Sequence, residues 1–262
     1  MNPLNNLVDW FRYKGSVLVA FSGGVDSSVI AKAALLALGK KAIAATANSA
    51  TLSENELYNA KKIAKEIGIE HIIFKENEFE NPNFAENPVN RCYYCRNTLI
   101  SGLNEIAKQK GIQVIVDGSN HDDLKAHRPG MLAMKENGVK SPLLELQFGK
   151  NDVRNIAKEL DLSVADKPAM ACLASRIPYG ETITVDKLDK IEKAENFLRL
   201  LGFKEFRVRF HGGIARIELR EHDLSKTLKN RRKITDYLKD VGFSYVTLDL
   251  EGYRSGSMDE VL

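Results

Sequence analysis

Residues 16–39 read SVLVAFSGGVDSSVIAKAALLALG. A short apolar run comes first, then two adjacent glycines, an aspartate and two serines, and a longer apolar segment closes the stretch. This pattern predicts a buried strand, a tight turn and a helix. The unit decides the fold class, because the same alternation of strand and helix continues over the first part of the chain.

Three more apolar runs carry that alternation forward, namely KAIAATA, EHIIF and QVIVDG. The helical segments between them end in glycine, which is typical of a helix C-terminus. The pattern predicts an α/β fold with a doubly wound parallel sheet, in which ligands bind at the carboxyl ends of the strands. SGGVDSS, residues 46–49 and the DGSN stretch at 117–120 all fall at those ends.

The alternation stops near residue 160, which predicts a change of domain. We expect a first domain over residues 1–165, a cysteine-bearing linker over 166–181 and a smaller C-terminal α+β domain over 182–262. The last domain is predicted from a helix, the strands FRVRF and IARIEL, a basic helix and the strand SYVTLDL.

The composition excludes some classes of protein. The chain has 262 residues, of which 44% are hydrophobic and 28% charged, with a net charge of +3. These values are typical of a globular protein, and the charge alone does not indicate a nucleic-acid partner. No apolar run approaches the roughly 18 residues that span a bilayer, and the first residues lack a signal-peptide pattern. We expect a cytoplasmic protein with no membrane partner and no stably bound nucleic acid.

SGGVDSS has the composition of a phosphate-binding turn, but it lacks the lysine of the GxxxxGK[ST] loop. Gly23 and Gly24 allow positive φ, so that successive N–H groups can form a nest for an anion. Asp26 cannot bind phosphate directly, and we predict that it is a Mg²⁺ ligand. An ordinary capped strand–helix junction is the alternative. Three serines at the helix start add hydroxyl donors: Ser22, Ser27 and Ser28.

These residues resemble the PP-loop of the ATP-pyrophosphatase superfamily, whose members split ATP between the α and β phosphates and adenylate a substrate oxygen. Three further parts of the chain are DGSNHDD with RPGM, MACLASRIPYGE, and FRVRFHGGIARIEL with GYRSGSM. Together they resemble the pyridinium-3,5-biscarboxylic acid mononucleotide sulfurtransferases of nickel-pincer nucleotide biosynthesis, which serve the lactate racemase cofactor. The resemblance covers nearly the whole chain. It implies a fold of the adenine-nucleotide alpha-hydrolase type, ATP and Mg²⁺ as cofactors, and a homo-oligomer.

The resemblance also implies an activity. A carboxylate is a poor electrophile, whereas an acyl-AMP loses AMP readily to a sulfur nucleophile and yields a thiocarboxylate. The substrate would be a small nucleotide with carboxylates, and the loop would hold the departing pyrophosphate, with Asp26 as a catalytic group. Arg128 would close over the nucleotide. Further candidates for the ATP pocket follow the later strands: Thr46, Asn48, Ser49, Asp117, Gly118 and Asn120.

The three cysteines bear on the sulfur chemistry. Cys92 and Cys95 form a CxxC motif, which alone does not distinguish zinc, an iron–sulfur cluster and a redox dithiol. Structural zinc would need a fourth ligand beside Cys172, for which His121 and His127 are available. A third hypothesis is a cubane cluster with three thiolate ligands and one open iron that could carry a sulfide.

The resemblance favours the cluster. Relatives that have only the cysteine matching Cys172 give up its sulfur and keep dehydroalanine. Sequences with the additional CxxC resemble members that hold a 4Fe–4S cluster. The resemblance therefore implies a cluster on Cys92, Cys95 and Cys172, with Cys172 as a catalytic residue and a separate sulfide donor. Sacrificial transfer from Cys172, with the other two cysteines structural, stays open.

Arginines in the last part of the chain are candidates for binding the anionic substrate. Arg207 and Arg209 alternate along a predicted strand and share one face, and we predict that both are also catalytic. Surface salt bridges are the alternative for each, and for Arg216 we favour that interpretation. Four more substrate-binding candidates are Arg176, Glu195, Arg254 and Ser257.

Two other functions stay open at this point. One is thiolation of tRNA, in which ATP activates a base oxygen. The other is a nucleotide-binding sensor that carries a cluster and turns nothing over. The net charge of +3 and the lack of an added RNA-binding segment disfavour the first. A loop that resembles those of catalytic relatives disfavours the second.

Overall fold

The computed structural model of the chain describes residues 2–125, 128–168, 171–254, 256–258 and 260. The chain divides into two compact units. The first unit comprises Met1–Phe84 and Asn90–Met170, and the second comprises Ala85–Val89 and Ala171–Leu262. One boundary thus falls inside the segment 166–181, and the short piece Ala85–Val89, which the sequence analysis placed in the first domain, belongs to the second unit.

The first unit is built on a four-stranded parallel sheet with the strand order β3–β2–β1–β4. The predicted α/β fold class is confirmed, and each strand lies within one of the predicted apolar runs or extends one residue past its end. The strands are β1 (Val17–Ala20), β2 (Ala42–Asn48), β3 (Glu70–Lys75) and β4 (Val114–Val116).

Helices cover both faces of this sheet. Val17 and Val19 pack into one apolar cluster and Leu18 into another, because successive residues of a strand point to opposite faces. No helix in the described part of the chain is long and apolar enough to cross a membrane. The helices that begin in this unit are α1 (Pro3–Phe11), α2 (Val25–Leu38), α3 (Glu54–Ile67), α4 (Pro82–Ala85), α5 (Arg91–Lys110), α6 (Pro129–Glu136), α7 (Pro142–Glu145) and α8 (Lys150–Glu159).

The ends of α3 follow from local chemistry. Ser53 caps its first turn by accepting a hydrogen bond from the N–H of Glu56 at 3.3 Å. Gly68 ends it in the left-handed conformation, with φ of 81°. The helix begins a few residues after the carboxyl end of β2. Its N-terminal turn and the loop that precedes α2 both follow the carboxyl ends of parallel strands, and so both lie at that edge of the sheet.

The second unit holds a three-stranded sheet with the order β5–β6–β7, in which β5 and β6 are antiparallel and β6 and β7 are parallel. Gly212 and Gly213 join the hairpin with positive φ at both positions, as a tight two-residue turn requires. The elements are α9 (Val185–Leu200), β5 (Phe206–His211), β6 (Ile214–Leu219), α10 (Leu224–Lys229), α11 (Arg231–Asp240) and β7 (Tyr245–Leu248).

Candidate active site

The loop between β1 and α2 has the conformation that its glycines predict. Gly23 adopts φ of 68°, and a Cβ atom at this position would lie 2.7 Å from Cα of Ala60 in α3. Only glycine fits this close approach. Gly24 is the N-cap of α2 and provides no side-chain cap, so the first N–H groups of the helix are available to an anion.

The serines of the loop differ in their hydrogen bonds. Ser27 Oγ donates to the carbonyl of Gly24 at 3.2 Å, so Ser22 donates in the 3.1 Å contact between the two hydroxyls. Ser28 Oγ is fully buried and has no hydrogen-bond partner in the described part of the chain. A buried hydroxyl without a partner is rare in a folded protein and fits a ligand that supplies the missing acceptor.

The segment after β4 lies against the first turn of α2. A Cβ atom at Gly118 would lie 2.9 Å from the backbone nitrogen of Ser27. Asn120 Nδ2 donates to Oδ1 of Asp26 at 3.1 Å. Asp117 accepts hydrogen bonds from Ser119 Oγ and Ser141 Oγ, each at 2.6 Å, and so holds this turn together. The structure thus brings Gly118 and Asn120 beside the loop, as expected for a shared sheet edge.

Polar groups at the end of β2 are engaged within the protein. Thr46 Oγ1 donates to the carbonyl of Phe21 at 2.6 Å, so His71 Nε2, at 2.7 Å from the same oxygen, must carry the proton that it donates. Burial, followed by the charge of Lys61, lowers the pKa of His71, which agrees with a neutral ring. Thr46 therefore ties the ends of β1 and β2 together, and its contact with a nucleotide stays a prediction.

Ser49 belongs to a chain of hydroxyl groups after β2. Thr51 Oγ1 donates to Oε1 of the buried Glu78, so Ser49 must donate to Thr51 across 3.1 Å. The proton of Ser49 is therefore committed inside the protein. A ligand at this position would meet a hydroxyl that accepts, and its contact with ATP stays a prediction.

Two lysines from distant parts of the chain reach the loop, and sequence reasoning missed both. Lys150, the first residue of α8, donates to Oδ2 of Asp26. Lys167 Nζ lies 2.8 Å from Oε2 of Glu56 and 3.5 Å from the carbonyl oxygen of Gly23. Neither lysine stands in a motif that marks it, since both reach the loop only through the fold.

Asp26 is suited to a divalent cation that also touches phosphate. Its Oδ1 accepts a hydrogen bond from Asn120 and its Oδ2 accepts one from Lys150. Both carboxylate oxygens therefore lie in a polar environment at the N-terminus of α2. Mg²⁺ typically takes one or two protein carboxylates, completing its shell with substrate phosphates and water. The residues present therefore fit this ion. Arg128, at the start of α6, forms a 3.0 Å ion pair with Asp123 and is more than half exposed.

The cysteines occupy helix starts in both units. Cys92 and Cys95 lie three residues apart in the first turn of α5 and therefore share one face of the helix. Cys172 is exposed and precedes a short 3₁₀ helix at 173–176. No disulfide joins them, and among the described residues no group of three or more His, Cys, Asp or Glu side chains is arranged to hold a metal ion. His127 lies outside the described residues.

Arg176 anchors the backbone next to Cys172. It is 1% exposed, and its Nε and Nη2 donate to the two carboxylate oxygens of Glu195 at 2.9 and 3.0 Å. Its Nη1 donates to the carbonyls of Ala171 and Cys172 at 2.7 and 2.9 Å. Burial disfavours the charge of Glu195, yet the ion pair with Arg176 outweighs it and holds the pKa of Glu195 below its usual value.

Arg209 and Glu218 form a second buried ion pair in this unit. Arg209 Nη2 donates to Glu218 Oε2 at 2.8 Å and to Ser257 Oγ at 2.9 Å, while its Nη1 donates to the carbonyl of Ser175 at 3.0 Å. Arg216 also donates to Glu218, at 3.0 Å, so the salt bridge favoured for it is confirmed. Arg209 and Ser257 therefore already have partners inside the protein.

Arg207 differs from these arginines. Its Nη1 donates to the carbonyl of Phe206 at 2.7 Å and its Nη2 to the hydroxyl of Tyr253 at 3.4 Å, and the guanidinium lies 5.0 Å from the Tyr253 ring. Among the described residues it forms no ion pair with a carboxylate. Burial, then the nearby charge of Arg176, lowers its pKa. Arg254, in contrast, is held by Glu251 at 2.7 Å and Glu260 at 2.9 Å. Arg207 is therefore the arginine of this group whose positive charge no carboxylate neutralises in a salt bridge within the described part of the chain.

The parallel sheet and the glycine–serine loop at the start of α2 define an α/β protein that binds the phosphates of a nucleotide. Comparison with known proteins agrees with this class. A family model described as asparagine synthase matches residues 11–124, which contain the loop and all four strands of the parallel sheet.

Curated relatives extend the match over the whole chain. The pyridinium-3,5-bisthiocarboxylic acid mononucleotide synthase of Lactiplantibacillus plantarum is 40% identical over 247 residues, which cover 94% of this chain and 90% of the relative. An uncharacterized protein of Synechocystis is 45% identical over 100% of this chain and 98% of its own. A tRNA-specific 2-thiouridylase of Wolbachia pipientis is 27% identical over 72% of this chain and 61% of the relative.

The chain belongs to the PP-loop ATP-pyrophosphatase superfamily, and within it to the family of the pyridinium-3,5-bisthiocarboxylic acid mononucleotide synthase. The family resemblance predicted from the sequence is thereby confirmed, and the chain is an ATP-utilising enzyme. Membership of this family implies ATP and Mg²⁺ as cofactors.

Proposed function

We propose that the chain is an ATP-dependent sulfurtransferase that acts on pyridinium-3,5-biscarboxylic acid mononucleotide. A substrate carboxylate attacks the α-phosphorus of ATP, pyrophosphate leaves, and an acyl-AMP forms. A sulfide then attacks the acyl carbon, and AMP leaves with one of the former carboxylate oxygens. The observation that supports this proposal is the 40% identity with the named synthase over 94% of the chain.

Residues of the first unit have roles in the first step. The N–H groups at the start of α2 and the unpartnered hydroxyl of Ser28 would bind the pyrophosphate as it leaves. Asp26 would hold Mg²⁺ against the phosphates, with Asn120 orienting the carboxylate. Bound there, Mg²⁺ neutralises charge that develops on the leaving group. Preorganised donors of this kind commonly account for two to three powers of ten in rate, about 3 to 4 kcal/mol.

Arg207 of the second unit is the proposed ligand for the phosphate or carboxylates of the substrate. Its planar fork can bind either group with two hydrogen bonds, and no carboxylate in the described part of the unit forms a salt bridge with it. Arg176 and Arg209 would position neighbouring groups of the protein rather than bind the substrate, because each already forms an ion pair with a buried glutamate. Arg176 in particular fixes the carbonyl of Cys172 and thereby the backbone that carries this thiol.

For the sulfur, we propose a 4Fe–4S cluster on Cys92, Cys95 and Cys172, reloaded by a separate sulfide donor. Bound by three thiolates, such a cluster keeps one iron site open to an additional sulfide. The support is that the first two thiols share one turn of α5, as paired ligands do. Sacrifice of the Cys172 sulfur is the competing hypothesis for the same acyl-AMP.

Anaerobic turnover tests the proposal. The enzyme is incubated with ATP, Mg²⁺, sulfide and the biscarboxylic nucleotide, and AMP, pyrophosphate and thiocarboxylate are measured together with the iron and sulfide content. We expect equal AMP and pyrophosphate, several turnovers per chain, and loss of visible absorption in Cys92→Ala. Asp26→Asn should abolish AMP formation, whereas Asp9→Asn, at an exposed surface ion pair, should not. A colourless, iron-free protein that loses one sulfur at Cys172 would contradict the cluster hypothesis and support sacrificial transfer from Cys172.

Thiolation of tRNA is the second candidate, favoured by the 27% identity with the tRNA-specific 2-thiouridylase. Running the same assay with tRNA in place of the nucleotide separates the two activities. AMP formation that depends on tRNA, with none in the presence of the biscarboxylic nucleotide, would overturn the first proposal.

A further inference from the structure

The loop of this enzyme contains no lysine, yet an ammonium group lies on it. Lys150 follows Asp26 by 124 residues in the chain and donates to its Oδ2. We propose that Lys150 is the phosphate-binding cation of the active site, and that it exchanges the Asp26 carboxylate for the outer phosphates when MgATP binds. The inference rests on the use of ATP by this family and not on the proposed transfer of sulfur.

The backbone of Lys150 is fixed beside the loop independently of its side chain. Its N–H donates to Oδ2 of Asp122 at 2.8 Å, and the N–H of Gly149 donates to Oδ2 of Asp152 at 2.9 Å. The N–H of Asp122 in turn donates to Oδ1 of Asn120 at 3.0 Å, and Asn120 donates to Asp26. These bonds form a closed ring through Lys150 and Asp26. Release of the ammonium group from Asp26 therefore leaves the start of α8 in place.

Lys150 and a divalent cation compete for one oxygen. Asp26 Oδ1 is already used by Asn120, so a cation that approaches the carboxylate meets Lys150 at Oδ2. The lysine side chain is about one-third exposed, and its flexible stem can turn its three N–H donors to a neighbouring group. The triphosphate that arrives with the cation offers anionic oxygens at the same helix start. After the exchange the Asp26 carboxylate is bound to the cation, and the Lys150 ammonium group is bound to the phosphates.

Lys167, the other lysine at the loop, is not freed in this way. It is bound at 2.8 Å to Glu56, a buried carboxylate that has no place among the proposed Mg²⁺ ligands. MgATP therefore does not remove the carboxylate partner of Lys167. Of these two lysines, we expect only Lys150 to exchange its carboxylate for phosphate.

A purely structural ion pair gives a different result for phosphate. If Lys150 only tied α8 to α2, its removal would leave the partly buried Asp26 carboxylate with Asn120 as its partner and would not weaken the binding of pyrophosphate in particular. If Lys150 exchanges, its removal weakens the binding of phosphate groups and, because Lys150 no longer occupies Oδ2, strengthens the binding of a bare divalent cation to Asp26. The two hypotheses therefore differ in the effect on pyrophosphate affinity.

Binding measurements on the full chain test the exchange. The probes are inorganic pyrophosphate, followed by calorimetry, and Mn²⁺ alone, followed by its electron paramagnetic resonance signal. For Lys150→Met we expect pyrophosphate affinity to fall by about tenfold or more, and Mn²⁺ affinity to rise. Lys150→Arg should keep most of the pyrophosphate affinity. Lys158→Ala, on the same helix in an exposed pair with Asp166, should match the wild type in both.

Adding Asp26→Asn to Lys150→Met should abolish the gain in Mn²⁺ affinity and so assign it to this carboxylate. Equal pyrophosphate affinity in wild type and Lys150→Met, or weaker Mn²⁺ binding in the variant, would overturn the exchange. A wild-type protein that binds neither pyrophosphate nor MgATP would overturn it together with the proposed adenylation. Failure of sulfur transfer with the expected pattern of binding would contradict the proposed function alone and support the role of Lys150.

Discussion

In the second unit Arg176 and Glu195 are both almost fully buried and hold each other with two hydrogen bonds. In the first unit Glu76 and Glu78 lie together after β3, and in the described part of the chain neither forms a salt bridge, although the charge of Arg96 partly offsets that of Glu76. Burial, followed by the charge of Glu78, raises the pKa of Glu76 to about 8. The second unit thus buries Arg176 with a matching carboxylate, whereas the first unit buries two carboxylates side by side.

This difference indicates where each unit can take a ligand. In the described part of the chain, Ser28 Oγ of the first unit has no hydrogen-bond partner, and Arg207 of the second unit has no carboxylate partner. Groups that are already paired contribute to binding by fixing their neighbours.

The largest expected effect is on folding stability. Glu195→Ala leaves Arg176 buried without its carboxylate, and removing one partner of a buried pair typically costs about 3 to 5 kcal/mol of unfolding free energy. Urea unfolding measures it. Asp189→Ala, on the same helix in an exposed pair with Lys193, should cost less than about 0.5 kcal/mol. Equal stability of the two variants would show that the buried pair does not support the second unit.

Substitutions of the two arginines of β5 should affect different properties, namely folding stability for Arg209 and substrate affinity for Arg207. Arg209→Ala leaves Glu218 fully buried with fewer donors and should lower the unfolding free energy by about 3 kcal/mol. Arg207→Ala removes no ion pair, so we expect a smaller loss of stability together with substrate affinity weaker by about tenfold or more. Unfolding curves and substrate titration test both. The comparison fails if Arg207→Ala destabilises the protein as much as Arg209→Ala.

Two serines give a smaller contrast. Ser257→Ala removes a hydroxyl that accepts from Arg209 and donates to Glu218, and should cost about 1 to 2 kcal/mol of stability. Ser28→Ala removes a hydroxyl without a partner, so stability should stay equal or rise slightly while the KM for MgATP increases several-fold. An unchanged KM in Ser28→Ala would exclude this hydroxyl from the nucleotide site.

The smallest expected effect concerns pH. Because the pKa of Glu76 is about 8 in the folded protein and 4.5 in the reference state, the folded state binds the additional proton between these values. Stability from this group is therefore full at acidic pH and declines as pH rises towards 8. Glu76→Gln should flatten that decline by on the order of 1 kcal/mol between pH 6 and pH 8, as seen in urea unfolding. If the unfolding free energy of the variant declines with the same slope between pH 6 and pH 8, the decline comes from groups other than Glu76.

The sequence was sufficient for the parts of this enzyme that depend on neighbouring residues. Continuous apolar runs predicted the strands of the parallel sheet, and the glycines at 23 and 24 predicted the tight turn before α2, because strand burial and positive φ leave local patterns. Gly118 and Asn120 were predicted beside the loop from the rule that parallel strands end at one edge.

Contacts between distant residues could not be predicted. Lys150 reaches Asp26 across 124 residues, and a lone lysine at a helix start has no pattern that distinguishes it from a surface lysine. The arginines were predicted as anion ligands, but the buried glutamates that occupy Arg176 and Arg209 become visible only when the β5–β6 register and the packing of α9 are known. Ala85–Val89 joins the second unit for a similar reason.

That short segment has a consequence for the order in which the chain is made. Asn87 is fully buried, and its side-chain amide donates to the carbonyls of Ile177, Pro178 and Glu181. Its partners are synthesised some ninety residues later, which is roughly five to twenty seconds at usual ribosomal rates. During that interval the Asn87 amide lacks the three carbonyls that it contacts in the folded protein. A fragment that ends at residue 170 would keep this exposed insertion permanently, so the first unit cannot be obtained in its native form by cutting the chain once.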